Sequence, residues 1–520
     1  MSDSGALILA IDNGTQSVRA LLFDLAGELI GKRQMEIEAW FSDQPGWAEQ
    51  WPDYYWREIG RACRGLWTDG HDPGRVVGVS VTTQRGTQIC LDEDGQPLRP
   101  AITWVDRRRV AADELDPMPW HWRTLIAVSG RSAALNHVRE NAECNWIARH
   151  QPEVWARTRH FVQLSGYLNF RLTGRVVDSV GSQVGYLPFD YKARDWAGAQ
   201  SWHWHALSVR RAQLPELVAP GTTIAGLTSG AAEHLGLAAT LPVVAAGADK
   251  ACELIGSGVG DEAVGCVSFG TRATVSVHRR RYFEAVGHMP AYPAAMPGHY
   301  MVEAAVPRGF WMVSWFKREF GLHERRLAEE MGVSPESLFD RLVEQVPAGA
   351  MGLMLQPYWG RDIVPGPEAK GSIIGFGEVH TRSHLYRAIL EGIVYALREG
   401  SEAIERKGGR KLETLRVSGG GSQSDAAMQI TADVFDRPVQ RAHTFETSGL
   451  GAAIVTATGL GYYPDLESAM QAMTRPGQRF EPDPATGPVY DRLYREVYQK
   501  LYPRLAPLYH AIRDITGYPP

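Results

Sequence analysis

The sequence predicts an α/β protein of at least two domains that face each other across a cleft. Three observations carry this expectation. The chain is 520 residues long, too long for one ordinary core. A strand, Gly-Thr turn, strand pattern occurs twice, at Gly14-Thr15 and at Gly270-Thr271, which points to a duplicated unit. Between them, the apolar run Pro242 to Ala246 leads through Gly247-Ala248 to Asp249-Lys250 and a helix-compatible segment, a strand that delivers a carboxylate to a helix start.

In chain order, Leu7 to Ile11 is a buried strand followed by Asp12-Asn13-Gly14-Thr15, and Val18, Ala20 and Leu22 alternate beyond it. Asn-Gly between two such runs predicts a hairpin with a type I′ turn, in which both central residues have positive φ. A plain hairpin satisfies this pattern. So does a phosphate cradle built from the turn's N–H groups and the hydroxyls of Thr15 and Ser17, with Asp12 facing a divalent metal. The second turn, from Val264 to Val277, repeats the arrangement, and the chain divides near residue 256 into segments 1–255 and 256–520.

Val76 to Thr82 reads as a strand running into Thr83-Gln84-Arg85-Gly86, whose polar side chains suit a ligand-facing strand end. In Ile102-Thr103-Trp104-Val105-Asp106-Arg107-Arg108, an aromatic and a carboxylate together have the composition of a sugar site. Asp106 is equally suited to an ion pair with Arg107 or Arg108. His203-Trp204-His205 read as a strand places both imidazoles on one face, but no third ligand is evident and metal binding is disfavoured. Asp249 itself has two readings, helix cap or general base at a cleft.

Further on, Leu385 to Leu397 recur at helical spacing with Ser383 as N-cap, and a strand through Leu415 and Val417 breaks into Ser418-Gly419-Gly420-Gly421-Ser422. Three glycines between strand and helix let a planar or phosphate-bearing ligand approach the backbone. Gly449 to Ala453 opens a small-residue helix suited to packing beneath that loop. Tyr490 to Ile512 reads as a terminal amphipathic helix with a break at Pro503.

A net charge of −5 offers no footprint for nucleic acid, and no apolar run reaches the ~20 residues of a membrane span. Five scattered cysteines without a CxxC pair suit a reducing cytoplasm. Neither GxxxxGK[ST] nor GxGxxG occurs.

Taken in order, Asp12-Asn13-Gly14-Thr15-Gln16-Ser17, Gly247-Ala248-Asp249, Ser268-Phe269-Gly270-Thr271 and Ser418-Gly419-Gly420-Gly421-Ser422 resemble the FGGY family of carbohydrate kinases. The resemblance runs from about residue 7 to about residue 470. It implies two ribonuclease-H-like domains of the actin- and hexokinase-like ATPase type, with ATP and sugar in an interdomain cleft. Carried over, Asp249 is the catalytic base and Asp12 the carboxylate for Mg²⁺. Gly14, Thr15, Gln16 and Ser17 with Gly270 and Thr271 hold phosphates, and Gly420 and Gly421 meet the adenosine. Ser424 stands where many relatives have an adenine-contacting Asn, and Glu143 where the family usually has Lys. Gln84, Arg85, Trp104 and Asp106 are the sugar contacts. Gln84-Arg85 is similar to the glycerol kinase pattern, but Gly86 replaces its polyol-gripping glutamate, and the segment around Trp104 is more similar to ketopentose kinases. The implied activity is phosphorylation of a ketopentose such as xylulose or ribulose. The alternatives are a polyol kinase and an actin-like ATPase without a sugar acceptor, and a homodimer is left open. A glycoside hydrolase, suggested by Trp content and carboxylates, has no use for two Gly-Thr turns.

Overall fold

The computed structural model describes residues 5–287, 289–333, 335–359 and 369–518. Its first strand, β1 (Leu7–Asn13), is buried at every position, as expected of a strand covered on both faces. It pairs antiparallel with β2 (Ser17–Asp24), which pairs antiparallel with β3 (Leu29–Glu36). On its other side β1 runs parallel to β4 (Val76–Thr83). The edge strand β5 (Thr223–Gly226) is antiparallel to β6 (Pro242–Ala245), which is parallel to β4. The order is β5-β6-β4-β1-β2-β3.

The same scheme is built again downstream. A hairpin of β7 (Val264–Phe269) and β8 (Ala273–Arg279) is followed by antiparallel β9 (Tyr300–Val306). Strand β10 (Thr414–Ser418) is parallel to β7, β11 (Val439–Ala442) is parallel to β10, and β12 (Pro476–Phe480) is the antiparallel edge. In spatial order and strand direction, β12-β11-β10-β7-β8-β9 repeats the first sheet, except that the edge strand β12 follows its neighbour in the chain where β5 precedes its own, and one extra short strand is added at Tyr292–Pro293.

The helices repeat as well. Helices α1 (Pro52–Thr68), α2 (Leu164–Thr173) and α3 (Asp249–Gly256) precede β4, follow it and follow β6. In the second sheet, α4 (Arg382–Gly408), α5 (Asp425–Phe435) and α6 (Thr447–Gly459) hold the corresponding places. Helices α3 and α6 pack backbone to backbone. A Cβ on Gly256 would lie 1.9 Å from Thr447 O, and one on Gly451 would lie 1.9 Å from Cys252 O. Both positions therefore have no room for any side chain. The small residues of α6 thus serve its contact with α3 rather than a seat beneath the glycine loop.

Local chemistry departs from the sequence expectation at four places. Asn13 pairs with Val18, neither Asn13 nor Gly14 has positive φ, and Gly14 N–H bonds to Ser17 O at 3.0 Å. The hairpin turn is therefore wider than type I′. The N-cap of α4 is Thr381, whose N–H bonds to His384 Nδ1, so Ser383 lies inside the first turn. His203–Ala206 is a helical turn, not a strand. The C-terminal helix Gln499–Thr516 continues through Pro503 and Pro507, and the irregularity is a π-helical stretch at Leu493–Tyr498 that sets Tyr494 and Tyr498 against Tyr395. Among the described residues no helix is long and apolar enough to cross a membrane.

Candidate active site

Asp249 is the first residue of α3, whose N-cap is Ala248 with no side-chain cap. The simple capping reading of Asp249 is thus not what the backbone uses. Its carboxylate accepts the N–H of Lys250 at 2.7 Å. The loop before it is fixed from several sides: Thr82 Oγ1 donates to Gly247 O at 2.9 Å, Ser179 Oγ donates to Ala246 O, and Ala248 N–H bonds to Gly181 O. Burial raises the pKa of Asp249 against the opposing pull of Lys250 and Arg85. A carboxylate shifted toward neutrality is a stronger proton acceptor.

Asp12 lies at the end of β1 with 5% exposure. Arg19 Nη1 donates to its Oδ2 at 3.0 Å. Burial pushes its pKa up to about 6, Arg19 opposes this, and the nearby Asp249 and Glu446 add to it. Thr15 ties the first turn to two of the residues expected to meet the sugar: its Oγ1 donates to Gln84 Oε1 at 2.9 Å and accepts Trp104 Nε1–H at 3.0 Å. Gln16 is exposed and Ser17 is buried. Arg85 bonds through Nη2 to both oxygens of Glu303, while its buried Nη1 has no partner.

Asp106 behaves differently. Its two oxygens accept Nε–H and Nη2–H of Arg108 at 2.8 and 2.7 Å, and also the N–H groups of Ala48 and Arg108. Arg108 also pairs with Glu49 and stands 4.0 Å over the Trp47 ring. The Asp106 carboxylate is thereby committed to a buried structural cluster, the ion-pair reading, and has little capacity left for a sugar hydroxyl. Glu143 begins a helix beside this cluster, and burial pushes its pKa up to about 8.

In the second sheet, Gly270-Thr271 connects β7 to β8, and the carbonyls of the two residues accept N–H groups of Phe310 and Trp311. The turn faces a cavity of about 490 Å³ whose lining includes Gly270, Thr271, Lys317, Gly420, Gly421 and Ser424. The three successive glycines have separate reasons. Gly419 has φ +81° with its Cβ position 3.0 Å from Phe269 O, and a Cβ on Gly421 would strike the Phe310 ring at 2.2 Å. Gly420 meets nothing within 4 Å and is the one that faces open space. Ser424 caps α5 by accepting Ala427 N–H, and donates to Asp340 Oδ1. A larger cavity of about 930 Å³ lies elsewhere, along α4 near Arg398 and Arg437, and contains none of these groups.

A divalent cation fits the Asp12 corner. The carboxylate has a single hydrogen-bond donor, Arg19 at Oδ2, and Asn13 Oδ1 is buried without a partner. Among the described residues no three His, Cys, Asp or Glu side chains gather into a metal cage. A single carboxylate with one oxygen unshared, beside an unpartnered amide oxygen, suits Mg²⁺, which usually takes one or two carboxylates and completes its shell with phosphates and water.

Sequence reading missed Glu303 and Glu253. Each was marked by a charge inside an apolar run, Glu303 in YMVEAAV and Glu253 in DKACELIG, and both are 4% exposed.

A sheet scheme used twice, with a Gly-Thr turn in each copy, defines the class: an α/β protein of the actin- and hexokinase-like ATPase fold. The chain belongs to the FGGY family of carbohydrate kinases, whose N-terminal domain model matches residues 7–256 and whose C-terminal domain model matches residues 265–460. It is 29% identical to a xylulose kinase of Lactococcus lactis over 94% of this chain and 95% of that one. It is also 29% identical to a glycerol kinase of Dechloromonas aromatica, over 93% and 94%. The crystal structure of xylulose kinase from Rhodospirillum rubrum superposes with a TM-score of 0.79 at 27% identity, covering 97% of this chain and 100% of that one. The chain is a sugar kinase, with ATP as co-substrate.

Proposed function

We propose that this kinase phosphorylates a ketopentose such as xylulose or ribulose, with Asp249 as general base. The observation that carries the reading is the setting of Asp249, at the start of α3 and close enough to Asp12 and Arg85 for each to feel its charge. The sugar hydroxyl gives its proton to Asp249 as its oxygen bonds to the γ-phosphorus and the bond to the ADP oxygen breaks. Such a transfer needs chiefly positioning and charge stabilisation. Asp12 would hold Mg²⁺, which when bound would shield the phosphate charge. Gly14 to Ser17 and Gly270-Thr271 hold the phosphates, and the cavity beside Gly420, Gly421 and Ser424 takes the adenosine. Gln84, Arg85 and Trp104 orient the sugar in a cleft between the two sheets. Arg85 is already neutralised by Glu303, so its free Nη1 suits a neutral hydroxyl rather than a sugar acid. The five buried free cysteines agree with a cytoplasmic enzyme. Similarity to xylulose kinases supports the ketopentose.

The test is coupled ADP release with Mg·ATP against ketopentoses, polyols and hexoses, with a blank lacking sugar. Stimulation by a ketopentose is expected. Stimulation by glycerol or erythritol alone replaces it with a polyol kinase, and ADP release independent of sugar makes the chain an ATPase.

A further inference from the structure

Lys250 follows the proposed base directly, and its side chain reaches the other sheet. Its Nζ donates to Glu253 Oε2 at 2.7 Å, one turn along α3, and to Ser268 Oγ at 2.6 Å at the end of β7. Glu253 accepts in turn through Oε1 from Ser268 Oγ at 2.8 Å and from Ser418 Oγ at 2.7 Å. Ser268 leads into Phe269-Gly270, and Ser418 leads into Gly419-Gly420. One buried carboxylate therefore holds both strand ends that carry the second sheet's glycine segments.

The ammonium stands beside the first of these segments, 3.9 Å from where a Cβ of Gly270 would begin. It has three N–H donors, and the two acceptors occupy two of them. Its side chain keeps 19% exposure, so a ligand can reach it. Burial alone would lower its pKa, but Glu253 and Asp249 outweigh that and hold it above the ordinary lysine value. An internal ion pair with Glu253 alone would not require a reach to Ser268.

We propose that Lys250 gives its third N–H to the γ-phosphoryl group of the bound nucleotide, and that Glu253 with Ser268 and Ser418 forms the cradle that aims it. The inference rests on the reading of Gly270-Thr271 as a phosphate turn and Asp249 as the base. A fixed positive charge between base and turn opposes the negative charge of the group in transfer, and lysine is a compact point charge for phosphate.

The test is equilibrium affinity for ATP and for ADP in the absence of sugar, measured on the full chain. Lys250→Met is expected to reduce the preference for ATP over ADP by about 10-fold, as for one charge-assisted hydrogen bond, and to leave ADP affinity within about 2-fold. Equal losses for both nucleotides, or none, overturn the proposal. Asp249→Asn should leave the ATP to ADP ratio unchanged while turnover falls, so the base assignment and the lysine assignment fail separately. Ser268→Ala keeps the charge and removes one anchor, and serves if Lys250→Met does not fold. Its expected effect is a drop of about 3-fold in the same ratio; an unchanged ratio overturns the cradle.

Discussion

Arg85, just past the end of β4, donates through Nη2 to both carboxylate oxygens of Glu303, in the middle of β9, at 3.1 and 3.3 Å. This pair joins the first sheet to the second, and its guanidinium also lies 5.2 Å over the Tyr292 ring. Glu303→Gln would leave a largely buried guanidinium without its counter-charge. Breaking one side of such a pair typically costs about 3–5 kcal/mol, and the amide's remaining hydrogen-bonding capacity brings the expectation to about 2–4 kcal/mol. Denaturant unfolding should show this loss, and sugar KM should rise more than ATP KM. Unchanged stability would mean that the pair does not join the sheets energetically.

Much of this architecture is legible in the chain because its signals are local. The two Gly-Thr turns, the strand ending near Asp249 and the glycine run after Val417 each announce an element boundary through residue type. What sequence does not reveal is which partner a polar side chain takes. Asp106 looks as suitable for sugar as for arginine until folding brings Arg108 and Ala48 N–H onto it. Glu253 looks like a helix-surface residue until Ser268 and Ser418, 15 and 165 positions away, arrive beside it. The three glycines invite one explanation, and packing against Phe269 and Phe310 supplies another for two of them.

Asp12 makes stability depend on pH in a defined direction. Its folded pKa of about 6 lies above the reference 3.8, so the native state binds this proton more tightly than the unfolded chain. The contribution is full below about 3.8 and is lost as pH rises through about 6. In metal-free, nucleotide-free protein, Asp12→Asn should therefore stabilise by about 1–3 kcal/mol at pH 7.5 and by little near pH 4. The pull of Arg19 is already contained in that shift. A melting temperature that falls equally at both pH values would contradict the burial-driven shift.

Gly451 in α6 makes the opposite of the usual helix substitution effect. Alanine in place of glycine gains about 1 kcal/mol of helix propensity, but here its Cβ would lie 1.9 Å from Cys252 O. Backbone cannot yield as a flexible side chain can, so Gly451→Ala should destabilise by about 2–4 kcal/mol. Gly230→Ala, in the helix Ser229–Leu235 with nothing within 4 Å of its Cβ position, should instead stabilise by about 0.5–1 kcal/mol. Thermal unfolding of the two variants reads the sign of each directly.

Asp249→Asn separates binding from chemistry. The amide is nearly the size of the carboxylate and keeps an oxygen for the Lys250 N–H that the carboxylate now accepts, so the start of α3 should hold its conformation. What is lost is the proposed proton acceptor; general-base help is typically worth about 10²–10⁴ in rate. Turnover with the best acceptor sugar should drop by about 10² or more, while ATP affinity stays within about 3-fold. The residual rate should also lose any acid-side pH dependence that the Asp249 carboxylate imposes, because the asparagine does not titrate. Near-normal turnover in this variant would reassign the base, and a large loss of ATP affinity would show that the carboxylate holds nucleotide rather than accepting the sugar proton.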